Sequence, residues 1–168
     1  ASEVYKRQGQ YLQALRAYGG AEDFDGVLRV VEKDAGILLA LLPPEQVLSW
    51  LDRCLPEVLE RHPLAMLVLM RSMFNWRRIP EMLRLKEQLL AAIDARPDMS
   101  GEERGNLRGE CDLIMSFLMY NDISAMSRLH RSASAQMSRP AISIQKSGGW
   151  TFGSPSVLMM FHLSLIHI

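Results

Sequence analysis

The sequence predicts an all-α fold built of antiparallel helix pairs stacked side by side, and three features carry that prediction. The stretch Arg61 to Ile93 holds two helical patterns separated by Arg77-Arg78, the first apolar on every side and the second striped. A helix apolar all round is buried on several sides, and a striped one covers it. Residues 9 to 30 carry one phrase twice: Gly9-Gln10-Tyr11-x-x-Ala14-Leu15-x-x-Tyr18, then Asp23-Phe24-x-Gly26-Val27-x-x-Val30. Such repetition of a turn residue, an aromatic, and small and aliphatic positions at helical spacing is the grammar of helix–turn–helix solenoids. Finally, Pro44, Pro56, Pro63 and Pro80 each open an apolar-periodic run. The first helical position tolerates proline because its missing N–H would be unpaired there anyway.

A chain of 168 residues is one domain or part of one. Its 19 basic and 19 acidic side chains cancel, so no global field draws in nucleic acid or an anionic membrane. Cys54 and Cys111 sit inside apolar helical patterns and read as small buried residues of a reducing cytoplasm. There is no secretory signal pattern and no run of 18 apolar residues, which predicts a soluble, cytoplasmic protein without a membrane partner.

In chain order, the twin phrases predict two helices, with Ala14 and Gly26 letting neighbours approach closely. A third helix is expected over Gly36 to Leu42, stopped by Pro43-Pro44, and a fourth over Pro44 to Cys54 with Val47, Leu48 and Leu51 inward beside Trp50. Pro56 starts a short fifth one. Pro63 opens the central apolar helix, and Pro80 opens its partner, in which Met82, Leu85, Leu89 and Ile93 form the buried stripe. After the connector Arg96 to Met99, Ser100 and Glu103 predict a capping box ahead of a long helix to Tyr120. Leu107, Cys111, Ile114 and Leu118 are its stripe, and Gly105 and Gly109 offer a flat face. Asp122 caps a last helix whose buried line is Ile123, Met126, Leu129 and Ala133. Periodicity is lost over residues 136–153, and Ser154-Pro155 restarts a helix over 154–162.

The most site-like stretch is the loop around Gly148, Gly149, Trp150, Phe152 and Ser154. Glycines there expose backbone amides, aromatics can stack, and the following helix start favours an anion. It is neither G-x-x-x-x-G-K-S/T nor G-x-G-x-x-G, so a ligand or partner loop competes with a packed loop between repeats. His62, His130 and His162 are far apart and lack metal-ligand spacing. Glu110 and Asp112 flank Cys111 two residues apart, on different faces, and predict a solvated edge. Arg128, His130, Arg131, Arg139 and Lys146 predict a solvated basic face, and methionines such as Met115, Met119, Met126, Met137, Met159 and Met160 predict core filler. The sequence nominates no catalytic, cofactor-binding or metal-ligating residue.

From Gly9 to Ile93 the succession of phrases resembles the region that follows the ATPase in large LuxR-type bacterial transcription regulators related to the maltose-regulon activator. The residues that carry the resemblance are the opening Gly9-x-Tyr11-x-x-Ala14-Leu15, then Val27 to Glu32, Val47-Leu48-Ser49-Trp50-Leu51-Asp52, Leu55-Pro56-Glu57-Val58-Leu59 and Arg61-His62-Pro63-Leu64. The resemblance implies a tetratricopeptide-like right-handed array over residues 9–135, acting as a non-catalytic signal receiver and oligomerisation surface. It implies ATP only in a separate upstream domain, DNA contact only through a separate C-terminal domain, and an effector or protein partner on the array. Self-association is expected where a solenoid face lacks its neighbour. A free-standing helical scaffold that binds protein partners is the alternative.

Residues 1–8 and 163–168 read differently from the rest. Leu163 to Ile168 is what CTG TCT CTT ATA CAC ATC encodes, and Val4 to Gln8 is GTG TAT AAG AGA CAG, the two strands of a transposase mosaic end used in sequencing libraries. Glu3 stands where the unedited element gives aspartate. Both segments are expected to be library scar, with the native stretch running from Gly9 to His162.

Overall fold

The computed structural model describes residues 2–34 and 36–143. Eight α-helices are seen among them, and no strand: α1 Ser2–Gly20, α2 Phe24–Asp34, α3 Pro44–Arg53, α4 Pro56–Glu60, α5 Pro63–Asn75, α6 Ile79–Ala95, α7 Gly101–Met115 and α8 Ile123–Gln136. The fold is all-α. α1 packs on α2, α5 on α6 and α7 on α8, with α5 also touching α2 and α7, so α5 is the central helix. No helix among the described residues is long and apolar enough to cross a membrane.

α5 follows from its sequence. Pro63 sits in its first turn, and Ala65 to Met70 are all buried because neighbours cover every side of the helix. α6 buries Met82, Leu85, Leu89, Ala92 and Ile93, the stripe its spacing predicts, while Arg84 and Glu87 face water. In α3, Val47 and Trp50 are buried and Leu48 and Leu51 half-buried.

The hairpins α1/α2 and α5/α6 close with the same three-residue turn. In the first, Glu22 adopts φ 58°, with Asp23 N–H donating to Tyr18 O at 2.9 Å and Glu22 N–H to Gly19 O at 3.2 Å. In the second, Arg77 adopts φ 58°, with Arg78 N–H donating to Met73 O at 2.8 Å and Arg77 N–H to Phe74 O at 3.0 Å. Both are Schellman closures in which a side chain stands where glycine is usual. The residue after each closure, Asp23 or Arg78, leads directly into the next helix, so the turn fixes the antiparallel return. Gly26 then lets α2 approach α1, since a Cβ there would lie 2.4 Å from the Tyr18 ring.

Four expectations need correction. Over residues 36–42 the chain forms only a 3-10 stretch, Ile37–Leu41. Asp34 causes this: its carboxyl oxygens accept Gly36 N–H at 2.9 Å and Leu38 N–H at 2.8 Å, ending α2 and opening the tighter turn. The helix expected to run to Tyr120 leaves α geometry at Met115 and continues as 3-10 over Ser116–Met119, where the Ser116 hydroxyl donates to Leu113 O at 2.6 Å. The capping box is half formed. Ser100 Oγ accepts Glu103 N–H at 3.1 Å, but the Glu103 carboxylate turns to Arg139 instead of back to Ser100. In α8, Met126 and Ala133 are buried and Leu129 packs against the core, whereas Ile123 at the first turn is exposed. Asp122 caps that helix as expected, accepting Ala125 N–H at 2.9 Å.

Candidate functional site

Two places in the described residues gather polar chemistry, and a third offers an open groove. The first joins α2 to the start of α5. His62, its side chain 12% exposed, has Nε2 2.8 Å from Asp25 Oδ1 and Nδ1 3.4 Å from Glu32 Oε1, and Arg61 Nη2 lies 2.6 Å from Asp25 Oδ2. The hydrogen bonds from His62 and Arg61 hold the Asp25 carboxyl below the usual carboxylate range. His62 is fixed here because Pro63 starts α5 right behind it, leaving its ring over the α2 surface. The cluster acts as an ion-paired tie between helices. Among the described residues, no group of three His, Cys, Asp or Glu side chains is placed to hold a metal ion.

The second gathers on α7 and overturns the solvated edge expected of Glu110, while Asp112 keeps to it. Glu110 is 0% exposed. Its Oε1 accepts Arg139 Nη1–H at 2.8 Å and Ile142 N–H at 2.7 Å, and its Oε2 accepts Ser143 N–H at 2.9 Å and the Ser143 hydroxyl. One turn earlier, Asn106 Oδ1 accepts Ser138 N–H at 2.8 Å. Residues 137–143 are thereby laid back along α7, and Arg71 of α5 donates to Ser143 O at 2.7 Å. Burial is what the sequence reading missed: Glu103, Asn106 and Glu110 share one face at helical spacing, next to Gly105 and Gly109, and the returning chain needs acceptors there. Asp112 stays at the edge, accepting Ser132 Oγ–H at 2.7 Å and Gln136 Nε2–H at 3.0 Å.

The expected solvated basic face is thus broken up. Arg139 is paired with Glu110 and Glu103 and only a quarter exposed, while Arg128 and Arg131 are exposed. His130 is half-buried beside Ser116 Oγ at 3.0 Å, and burial lowers its pKa. The glycine face performs as expected: a Cβ at Gly105 would sit 2.5 Å from Gln136 O, and one at Gly109 2.2 Å from Met137 Cγ. Met115 and Met126 are buried and Met119 and Met137 half-buried, in keeping with core filler. Both described cysteines are free thiols. Burial, reinforced by the Asp112 charge, pushes the Cys111 thiol up to about 12. Burial and then the Asp25 charge also raise Cys54, so neither is tuned as a nucleophile.

The groove lies between α3, α4 and α6 and has a volume of about 380 Å³. Its floor is Leu48, Leu51, Leu59, Met73 and Leu85, and Cys54 and Pro56 form one wall. Its rim carries Asp52, Glu81, Glu87 and Gln88 with a single cation, Arg84. Arg84 is loosely paired with Glu81 at 3.8 Å. Asp52 and Glu87 are exposed and make no ion pair or hydrogen bond among the described residues. Spacing along one helix names Leu48, Leu51 and Leu85 as apolar positions but not the groove, because its lining is drawn from α3, α4, α5 and α6, which are separate in sequence.

The loop residues Gly148, Gly149, Trp150, Phe152 and Ser154 lie outside the described residues, as do Lys146, Met159, Met160, His162, the helix expected over 154–162 and the segment 163–168. The boundary at residue 8 falls inside α1, which continues through Gln8 and Gly9 without a break. No protein-family model, curated protein or solved structure matches the chain.

Proposed function

We propose that this chain is the non-catalytic helical-repeat segment of a LuxR-type bacterial transcription regulator, stacked as a tetratricopeptide-like right-handed array, and that it receives an effector or protein partner in the α3–α4–α6 groove. The observation that carries the reading is that groove: an open trough with an apolar floor and two exposed carboxylates, Asp52 and Glu87, that make no ion pair or hydrogen bond among the described residues, set against the central helix pair. Rigid scaffolds concentrate recognition in such concave places. The matching closures of α1/α2 and α5/α6 support the repeat character, since they give two helix pairs the same local geometry.

A receiver of this kind biases an equilibrium elsewhere, so the reading places a nucleotide-dependent switch and a DNA-binding module in the same reading frame. The test is the sequence flanking the native stretch. A G-x-x-x-x-G-K-S/T motif on a strand–loop–helix upstream and a helix-turn-helix downstream are expected. A frame confined to residues 9–162 would refute the regulator and leave a free-standing scaffold for protein partners. The nucleotide motif without the DNA-binding module would replace it with a signalling ATPase acting on proteins.

A further inference from the structure

The groove's chemistry narrows what it can hold. Along α6 its lining runs from Glu81 to Gln88, two helical turns, or about 10 Å at 1.5 Å per residue. Across from α6, Leu48 and Leu51 of α3 are half-buried, offering apolar surface that the fold itself has not covered. Leu55, between the wall residues Cys54 and Pro56 in sequence, is 63% exposed. Apolar surface of this length at a helical repeat suits side chains projecting from one face of a short helix at positions i, i+3 or i+4, and i+7.

Charge supplies the rest of the description. The rim holds three carboxylates against one guanidinium, and that guanidinium already has Glu81 beside it. Asp52 on the α3 side and Glu87 on the α6 side are left over, one on each bank of the trough. An acidic occupant would place like charges against both banks, whereas a helix with lysine or arginine flanking its apolar stripe would meet a carboxylate on each side.

We infer that the groove docks a basic amphipathic helix from a protein partner, its apolar stripe on Leu48, Leu51 and Leu85 and its cationic flanks against Asp52 and Glu87. This rests on the receiver reading and names the partner's chemistry. The exposed acids set the approach and the salt dependence, and the floor holds the occupant once seated.

The probe is a fluorescein-labelled leucine–lysine peptide of about fourteen residues patterned at helical spacing, long enough to form helix on docking. It is titrated into the full 168-residue chain by fluorescence anisotropy at low and at physiological salt, beside a leucine–glutamate peptide of the same pattern. The expected result is saturable binding of the lysine peptide, weakened by salt and weakened about tenfold by Asp52→Asn with Glu87→Gln, and no binding of the glutamate peptide. Because neither carboxylate has a partner among the described residues, the double variant should keep its thermal midpoint. Leu48→Gln, at a half-buried site, reads the apolar floor separately and should also weaken binding. Equal binding of both peptides, or affinity unchanged within about twofold in the charge variant, would overturn the inference. So would a concentration-dependent dimer abolished by the same variant, which would make the occupant a second copy of the chain. If peptide binding fails while the flanking motifs are found, the regulator reading stands and only the occupant's chemistry falls.

Discussion

Replacing Glu110 by glutamine changes one oxygen into an NH2 group in a site closed to bulk solvent, since Glu110 is wholly buried. In the wild-type chain all four donors around the carboxyl point inward: Arg139 Nη1–H and Ile142 N–H at Oε1, Ser143 N–H and the Ser143 hydroxyl at Oε2. If the amide nitrogen faces Arg139 and Ile142, two donors confront a donor, and neither can rotate to accept. If it faces Ser143, the hydroxyl can turn and accept, but the Ser143 N–H is left unpaired. The second arrangement is cheaper, and a buried unpaired N–H costs about 1–3 kcal/mol. Weakening the bond to Arg139 adds about 1 kcal/mol, kept small because that guanidinium retains Glu103 and some solvent. Glu110→Gln should therefore lose about 2–4 kcal/mol, and a chain of this length should drop in thermal midpoint by about 5–15 °C. Circular dichroism melts and denaturant midpoints read the total. Amide hydrogen exchange locates it, with Ile142 and Ser143 losing protection before α7 does. A change below about 0.5 kcal/mol with Ser143 protection intact would refute the claim that this carboxyl holds residues 137–143 in place.

Leu67, fully buried in α5, should cost about 2–5 kcal/mol on mutation to alanine, and a loss below about 0.5 kcal/mol in a denaturant titration would contradict its central position. Gly9 of α1 and Gly105 of α7 should respond with opposite sign. Gly9→Ala meets nothing within 4 Å and should gain up to about 1 kcal/mol, while Gly105→Ala would press on Gln136 O at 2.5 Å and should lose about 1–3 kcal/mol; equal shifts in both melts would disprove the close α7–α8 approach. Thiol labelling at neutral pH should leave Cys111 unmodified until the chain is denatured and modify Cys54 slowly, because burial raises both; rapid native-state labelling of Cys111, whose thiol lies near 12, would exclude the packing described for α7. Asp25 contributes stability that is present above its unfolded pKa, near the ordinary 3.8, and is lost as pH falls through its lowered folded value. His62→Ala removes the main cause of that lowering and should move the acid-unfolding midpoint upward; an unmoved midpoint would show that the His62–Asp25 bond does not contribute.

Periodicity by itself determined the class of fold and most of its core. The stripe Met82, Leu85, Leu89 and Ile93, the all-apolar run in α5 and the proline starts were readable because each states which face of a local element must leave water, and that depends only on spacing. Tertiary structure decided what spacing cannot express. Glu110 and Asp112 look alike as neighbours of Cys111, yet one is sealed beneath a returning chain segment and the other sits at the edge, because residues 137–143 are distant in sequence and bring their donors only to one face of α7. The closures at Glu22 and Arg77 carry no glycine to announce a positive φ; the packing of the helices on either side holds those residues in a conformation their side chains disfavour. The groove likewise belongs to no single segment, since its floor, wall and rim come from α3, α4, α5 and α6, and among the described residues Asp52 and Glu87 on its rim make no ion pair or hydrogen bond.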